Sequence, residues 1–149
     1  MPDGMPRYDD GKPWGVNFFR TLLSHNDLSN LTLPRTYFGR SQVSNVSFRN
    51  TDLTESNLCW NDFLYVDFSV ASLARCDLRC SHFKRTNITG ADLRGADLRR
   101  SSFDDCIFAH AILDGTVITR AQAERMALSE AQWAAIDWRD TDGPEPDGG

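Results

Sequence analysis

Large apolar residues recur at every fifth position along most of this chain. Starting from Leu93 and Leu98 and stepping back by five, the positions are Ile88, Phe83, Leu78, Leu73, Phe68, Phe63, Leu58, Leu53, Phe48, Val43, Phe38, Leu33 and Leu28. Stepping forward they are Phe103, Phe108, Leu113 and Ile118. Two residues before each centre lies a slot of mostly small residues, such as Thr51, Ser56, Ala71, Cys76, Ser81, Ala91, Ala96 and Cys106, with Asn26, Leu31 and Asn61 the main exceptions. The slot just before the centre favours Asp and Asn. A period of five is neither 3.6 nor 2, so neither an amphipathic helix nor an alternating strand keeps these centres on one face. A chain that turns a corner every five residues does. The large and small slots then point inward and the other three outward, and a repeat of this kind decides the architecture.

The run Ala91-Asp92-Leu93-Arg94-Gly95 followed by Ala96-Asp97-Leu98-Arg99-Arg100 resembles the unit of the pentapeptide-repeat family, A-(D/N)-L-x-x. The resemblance covers about residues 26–118. It implies an all-β fold, a right-handed quadrilateral β-helix of about five coils with four units per coil. Residues twenty apart then stack, and the columns agree. One reads Leu33, Leu53, Leu73, Leu93, Leu113; another reads Leu28, Phe48, Phe68, Ile88, Phe108. A third reads Leu23, Val43, Phe63, Phe83, Phe103. Like stacks on like, as expected when each coil packs only on its neighbours. Asn26, Leu31, Pro34 and Asn61 make residues 26–65 the less regular half.

Residues 1–12 are rich in Gly, Pro and Asp and read as a mobile terminus. Residues 13–25 read as an N-terminal cap. Phe18, Phe19, Leu22 and Leu23 have helical spacing, although Phe18 and Leu23 are also in phase with the repeat. Beyond Ile118 helix signals take over. Thr119 to Gln122 and Ser129 to Gln132 each form a capping-box sequence, which predicts short helices near 120–126 and 130–137. Leu128 and Trp133 have the spacing of a hydrophobic staple. Residues 119–138 therefore read as a helical cap, with Met126, Leu128, Trp133 and Ile136 covering the last coil or making a homodimer contact through that end. Residues 139–149 read as a disordered acidic tail.

Charge changes the functional picture. The chain carries a net charge of −5, yet residues 18–118 hold eleven basic and eleven acidic side chains. The excess negative charge therefore lies in the termini. At twenty-residue spacing Lys84 falls beside Asp104, Arg85 beside Asp105 and Arg94 beside Asp114, with Glu55 between Arg35 and Arg75. The Asp and Asn slot is explained by turn chemistry. The four cysteines show no disulfide or metal framework: Cys76 and Cys106 fall in inward slots, Cys59 and Cys80 in outward ones. His25, His82 and His110 lie in different slots, and no phosphate loop or nucleophile motif is present. The chain reads as a non-enzyme without cofactor or metal. No apolar run is long enough for a transmembrane helix, and the thiols fit a cytoplasmic protein.

One set of outward positions stands out. Arg40, Trp60, Arg79, Arg99 and Arg100, with Leu64 and Tyr65 next along the chain, have the composition of a partner-binding surface. Arg40 and Trp60 are placed for a cation–π contact. The expected function is a β-helical scaffold for protein–protein interaction. The basic excess is too small for direct nucleic-acid binding. The family resemblance implies an alternative, because some bacterial members protect type II topoisomerases such as DNA gyrase from antibiotics by imitating DNA. That mechanism requires a strongly acidic rod, which the even charge count opposes.

Overall fold

The computed structural model describes residues 14–139, 141 and 146. Residues 1–12 and most of 139–149, read above as mobile and disordered, lie outside the described residues. The chain winds as a β-solenoid with four faces per turn. Face A is a parallel sheet of five short strands in chain order: β1 (Leu22–Ser24), β2 (Gln42–Ser44), β3 (Asp62–Leu64), β4 (His82–Lys84) and β5 (Ser102–Asp104). Their register is twenty residues throughout, as in Val43↔Phe63 and Phe63↔Phe83. The other faces are held by single parallel bridges. Face B runs Asp27, Ser47, Asp67, Asn87, Ile107 and face C runs Thr32, Asp52, Ser72, Asp92, Ile112. Face D runs Asn17, Tyr37, Asn57, Asp77, Asp97, Val117, and β6 (Val117–Ile118) pairing with β7 (Asp137–Trp138) extends it to Asp137.

Face D thus makes six steps of twenty residues, about one turn more than the five coils expected. Part of the difference is in residues 14–25, where the described residues form no helix. Residues 17–25 are the first coil: Asn17 bridges Tyr37 and β1 pairs with β2. The repeat phase wins over the helical spacing because Phe18 gains an inward stack on Phe38, 4.6 Å between rings. Phe19 is left outward against Tyr37.

The core is a set of stacked columns. Phe48 lies on Phe68 at 5.2 Å, Phe63 on Phe83 at 4.8 Å and Phe83 on Phe103 at 4.9 Å. Leu53, Leu73, Leu93 and Leu113 are buried in another column. Each buried centre contributes roughly 1.5–3 kcal/mol. Two polar ladders close the corners. In the first, the Asp or Asn before a centre accepts the backbone N–H two residues on, as Asp67 does from Ser69, Asn87 from Thr89 and Asp92 from Arg94. In the second, the small-slot side chain donates to a main-chain carbonyl twenty-three residues back: Thr51 to Leu28, Cys76 to Leu53, Thr116 to Leu93. Asn61, an exception by size, does the same job. Its Nδ2 donates to Phe38 O at 3.0 Å and its Oδ1 accepts from Ser41 N at 3.0 Å.

The corner residue after each face takes a left-handed conformation almost without interruption, from Arg20 to His110. This aims its side chain along the outer edge of the rod.

At the far end, helices α1 (Arg120–Ala123) and α2 (Glu130–Ala135) carry capping boxes at Thr119 and Ser129. Their glutamines also complete the solenoid. Gln122 Nε2 donates to Leu98 O and Ser101 O at 2.8 and 2.9 Å. Gln132 Nε2 donates to Phe108 O and Ala111 O at 2.8 and 3.0 Å. These carbonyls would otherwise await a further coil. Met126 and Ile136 are buried in the core cluster, Leu128 packs against it half-buried, and Trp133 stays exposed with its ring 4.5 Å from that of Trp138.

Candidate partner-binding face

The edge between faces D and A is built from corner residues one turn apart: Arg20, Arg40, Trp60, Cys80 and Arg100, all at positive φ. Stacking at about 4.8 Å per coil brings neighbouring side chains into contact. The Arg40 guanidinium lies over the Trp60 ring at 4.6 Å from its centroid. The Trp60 indole N–H donates to Pro146 O at 3.4 Å. Beside this pair, on face A, is an open groove of about 300 Å³ lined by Gln42, Asp62, Cys80 and His82 with Arg40 and Trp60.

Leu64 and Tyr65 stand on the opposite edge of β3, 38% and 48% exposed. Arg85 covers Tyr65, with its guanidinium 5.5 Å from the ring centroid and Nη1 donating to the hydroxyl at 2.8 Å. Face A therefore presents an aromatic and a cation at each edge: Trp60 with Arg40, and Tyr65 with Arg85.

Two of the expected surface arginines are not on the surface. Arg79 and Arg99 are 2% and 5% exposed on face D. Each turns back to the aspartate two residues before it, Arg79 to Asp77 at 2.7 Å and Arg99 to Asp97 at 2.9 Å. Arg79 Nε also lies 3.9 Å from Asp97 Oδ2, which links the two pairs across coils. Burial works against the charge on Arg79, but the hydrogen bonds and charge of Asp77 outweigh it and hold the guanidinium protonated. Cys59, which falls in an outward slot, is likewise buried on this face, with its thiol donating to Asp77 O at 3.7 Å. Burial, with the charge of Asp77 beside it, raises its pKa. Arg100 is exposed.

The expected charge pairs are partly redirected. Glu55 binds Arg35 at 3.3 Å and Arg75 at 2.8 Å. Arg94 turns from Asp114 to Asp92 on its own coil, at 2.6 Å, and Arg85 turns to Tyr65. For Arg94, a partner two residues away along the chain is already oriented by the turn, so less side-chain entropy is lost.

Sequence reading also missed a contact. His82 Nδ1 and Ser102 Oγ lie 2.7 Å apart because β4 and β5 set them side by side, and Asp62 precedes them in the same column. The only signal was their shared slot at twenty-residue spacing. Among the described residues no group of three or more His, Cys, Asp or Glu is placed to hold a metal. No helix of the described residues is long and apolar enough to cross a membrane.

The family model for pentapeptide repeats, with eight copies, matches residues 41–79, 67–105 and 81–120, together more than half of the chain. No curated protein matches. Among solved structures, a pentapeptide repeat protein from the Arabidopsis thaliana thylakoid lumen is similar at 24% identity and TM-score 0.47, covering 86% of this chain and 83% of that one. HetL, a pentapeptide repeat protein involved in heterocyst differentiation regulation in the cyanobacterium Nostoc, is similar at 17% identity and TM-score 0.33, covering 84% and 70%. QnrB1, a plasmid-mediated fluoroquinolone resistance protein, is similar at 16% identity and TM-score 0.28, covering 69% and 60%. With its five-residue phase, its twenty-residue register and this family match, the chain belongs to the pentapeptide-repeat family.

Proposed function

We propose that this protein is a non-enzymatic β-helical scaffold that binds a protein partner across face A. The observation that carries the reading is the pair of aromatic–cation contacts at the two edges of one sheet, Arg40 on Trp60 and Arg85 on Tyr65. Aromatic and arginine side chains supply most of the energy in protein interfaces. The groove beside Trp60 and the exposed Leu64 add a recess and an apolar contact. Among the described residues, the column side chains fill the interior. The four unbridged cysteines support a reducing, cytoplasmic setting.

The alternative brought by the family, binding of DNA gyrase by imitation of DNA, finds less support. The rod balances eleven bases against eleven acids, and the outward residues of face A mix His82 and Lys84 with Asp62 and Asp104.

The test is affinity capture with the wild type, with Trp60→Ala, with the double variant Leu64→Ser and Tyr65→Ser, and with Arg94→Ala on face C. A partner retained by the wild type and by Arg94→Ala, and lost with the other two, supports the reading. Equal retention by all four sinks it.

A further inference from the structure

Face D is covered. The same sequence, Asp-Leu-Arg, occurs on two faces with the same two-pronged ion pair, yet the Arg94 side chain on face C is 62% exposed and that of Arg79 on face D only 3%. Pairing alone therefore does not bury an outward arginine on this rod. Cys59, Asp77, Asp97 and Arg99 are buried along the same face, while Asp62, His82 and Lys84 on face A of the same coils are exposed.

The chain itself indicates what lies there. β7 extends the face D ladder, and Arg139 N donates to Ile118 O at 3.0 Å, so the chain leaves the solenoid on that face. Pro146 then reappears at Trp60. Trp60 lies three coils back from Ile118, about 14 Å at strand spacing. The residues from Arg139 to Pro146 span about 23 Å when extended, which is ample. Beyond Arg139 the sequence carries Asp140, Asp142, Glu145 and Asp147 and no base. Face D and its edge toward face A carry Arg20, Arg40, Arg79, Arg99, Arg100 and Arg120 against Asp77, Asp97 and Asp137. Pro144 and Pro146 cannot donate to a ladder, so the pairing that β7 begins cannot continue through them. Their carbonyls still accept, and Trp60 supplies a donor to one of them.

We infer that face D is a docking groove for an acidic, proline-containing peptide, and that its resident occupant is this chain's own C-terminal segment, residues 140–149. The segment and the partner surface on face A meet at Trp60, so a partner that reaches over this edge must compete with it. The docking itself does not depend on the partner reading.

The test uses the full chain and the thiol of Cys59 as a reporter. Asp140→Asn, Asp142→Asn, Glu145→Gln and Asp147→Asn are combined, and iodoacetamide labelling of Cys59 is followed by peptide mass mapping. Labelling about tenfold faster than in the wild type is expected from loss of several partly screened charge contacts, with Cys76 in the core still protected. An unchanged Cys59 rate overturns the proposal. If Cys76 also labels, the variant has unfolded, and the wild type in rising salt decides. Cys59 labelling that climbs from about 0.05 to about 1 M salt supports the docking, and a flat response overturns it. A dye-labelled peptide of residues 140–149 is also added in trans. It should bind the neutralised variant and not the wild type, and equal binding to both refutes an occupied groove.

Discussion

Arg79 grips Asp77 with two bonds, Nε to Oδ1 at 2.8 Å and Nη2 to Oδ2 at 2.7 Å, and both side chains are 3% or less exposed. Breaking a buried pair leaves a charge without its partner, which costs about 3–5 kcal/mol. Arg79→Ala should lower the urea unfolding free energy by that amount. Arg94→Ala, in the same motif on an exposed face, should cost less than about 1 kcal/mol. Equal losses for the two variants would contradict the assignment of Arg79 to a covered face.

The hydroxyl of Ser81 accepts from Asn61 N at 3.1 Å and donates to Leu58 O at 2.5 Å. Ser81→Ala strands both backbone groups inside the corner and is expected to cost about 2–3 kcal/mol. Asn61→Ser keeps a donor and acceptor in the same column and should cost less than about 1 kcal/mol. Paired denaturation curves check both.

Val70 occupies a corner at φ 50°, where its β-branched side chain is strained. It is 46% exposed, so little packing is lost on replacement. Val70→Asn should raise stability by about 1 kcal/mol, because Asn tolerates the left-handed region. A thermal midpoint unchanged or lowered would count against strain at this corner.

Hydrogen bonding from Arg94 holds the Asp92 carboxyl below its ordinary value of 3.8. A depressed carboxylate stabilises the fold above its unfolded pKa, and that contribution is lost as the pH falls through the folded value. The loss should begin near pH 3.8 and continue below it. Since the Arg94 end of the pair is open to solvent, the effect should stay under about 1 kcal/mol. Comparing wild type and Asp92→Asn unfolding from neutral pH downward should show a shallower acid slope in the variant.

If the rod does not imitate DNA, titrating the protein into a gyrase supercoiling reaction should leave the rate unchanged up to tens of micromolar, roughly the range in which purely electrostatic contacts appear. Inhibition, or relief of fluoroquinolone-induced cleavage, would favour the gyrase-binding alternative.

The register of this protein was legible from its residues. A side-chain period of five fits neither an amphipathic helix nor a long alternating strand, and the columns from Leu33 to Leu113 and from Leu23 to Phe103 specified twenty residues per turn. The aspartate ladder and both helix caps were equally local, since each depends on residues two or three apart. Slot-by-slot reading faltered where one residue answers to two patterns. Phe18 and Leu23 fit a helix and a coil alike, and the stack of Phe18 on Phe38 chose the coil.

What only the tertiary structure decided is which outward side chains meet water. Asp77-Leu78-Arg79 and Asp92-Leu93-Arg94 are the same motif in the same slots, yet one lies buried and the other exposed. The capping glutamines Gln122 and Gln132 reach carbonyls twenty-one and twenty-four residues back, and Trp60 meets Pro146 from eighty-six residues away. Local spacing determines which way a side chain points from its own backbone. Exposure depends on what another part of the chain places on top of it, and a periodic sequence carries no record of that.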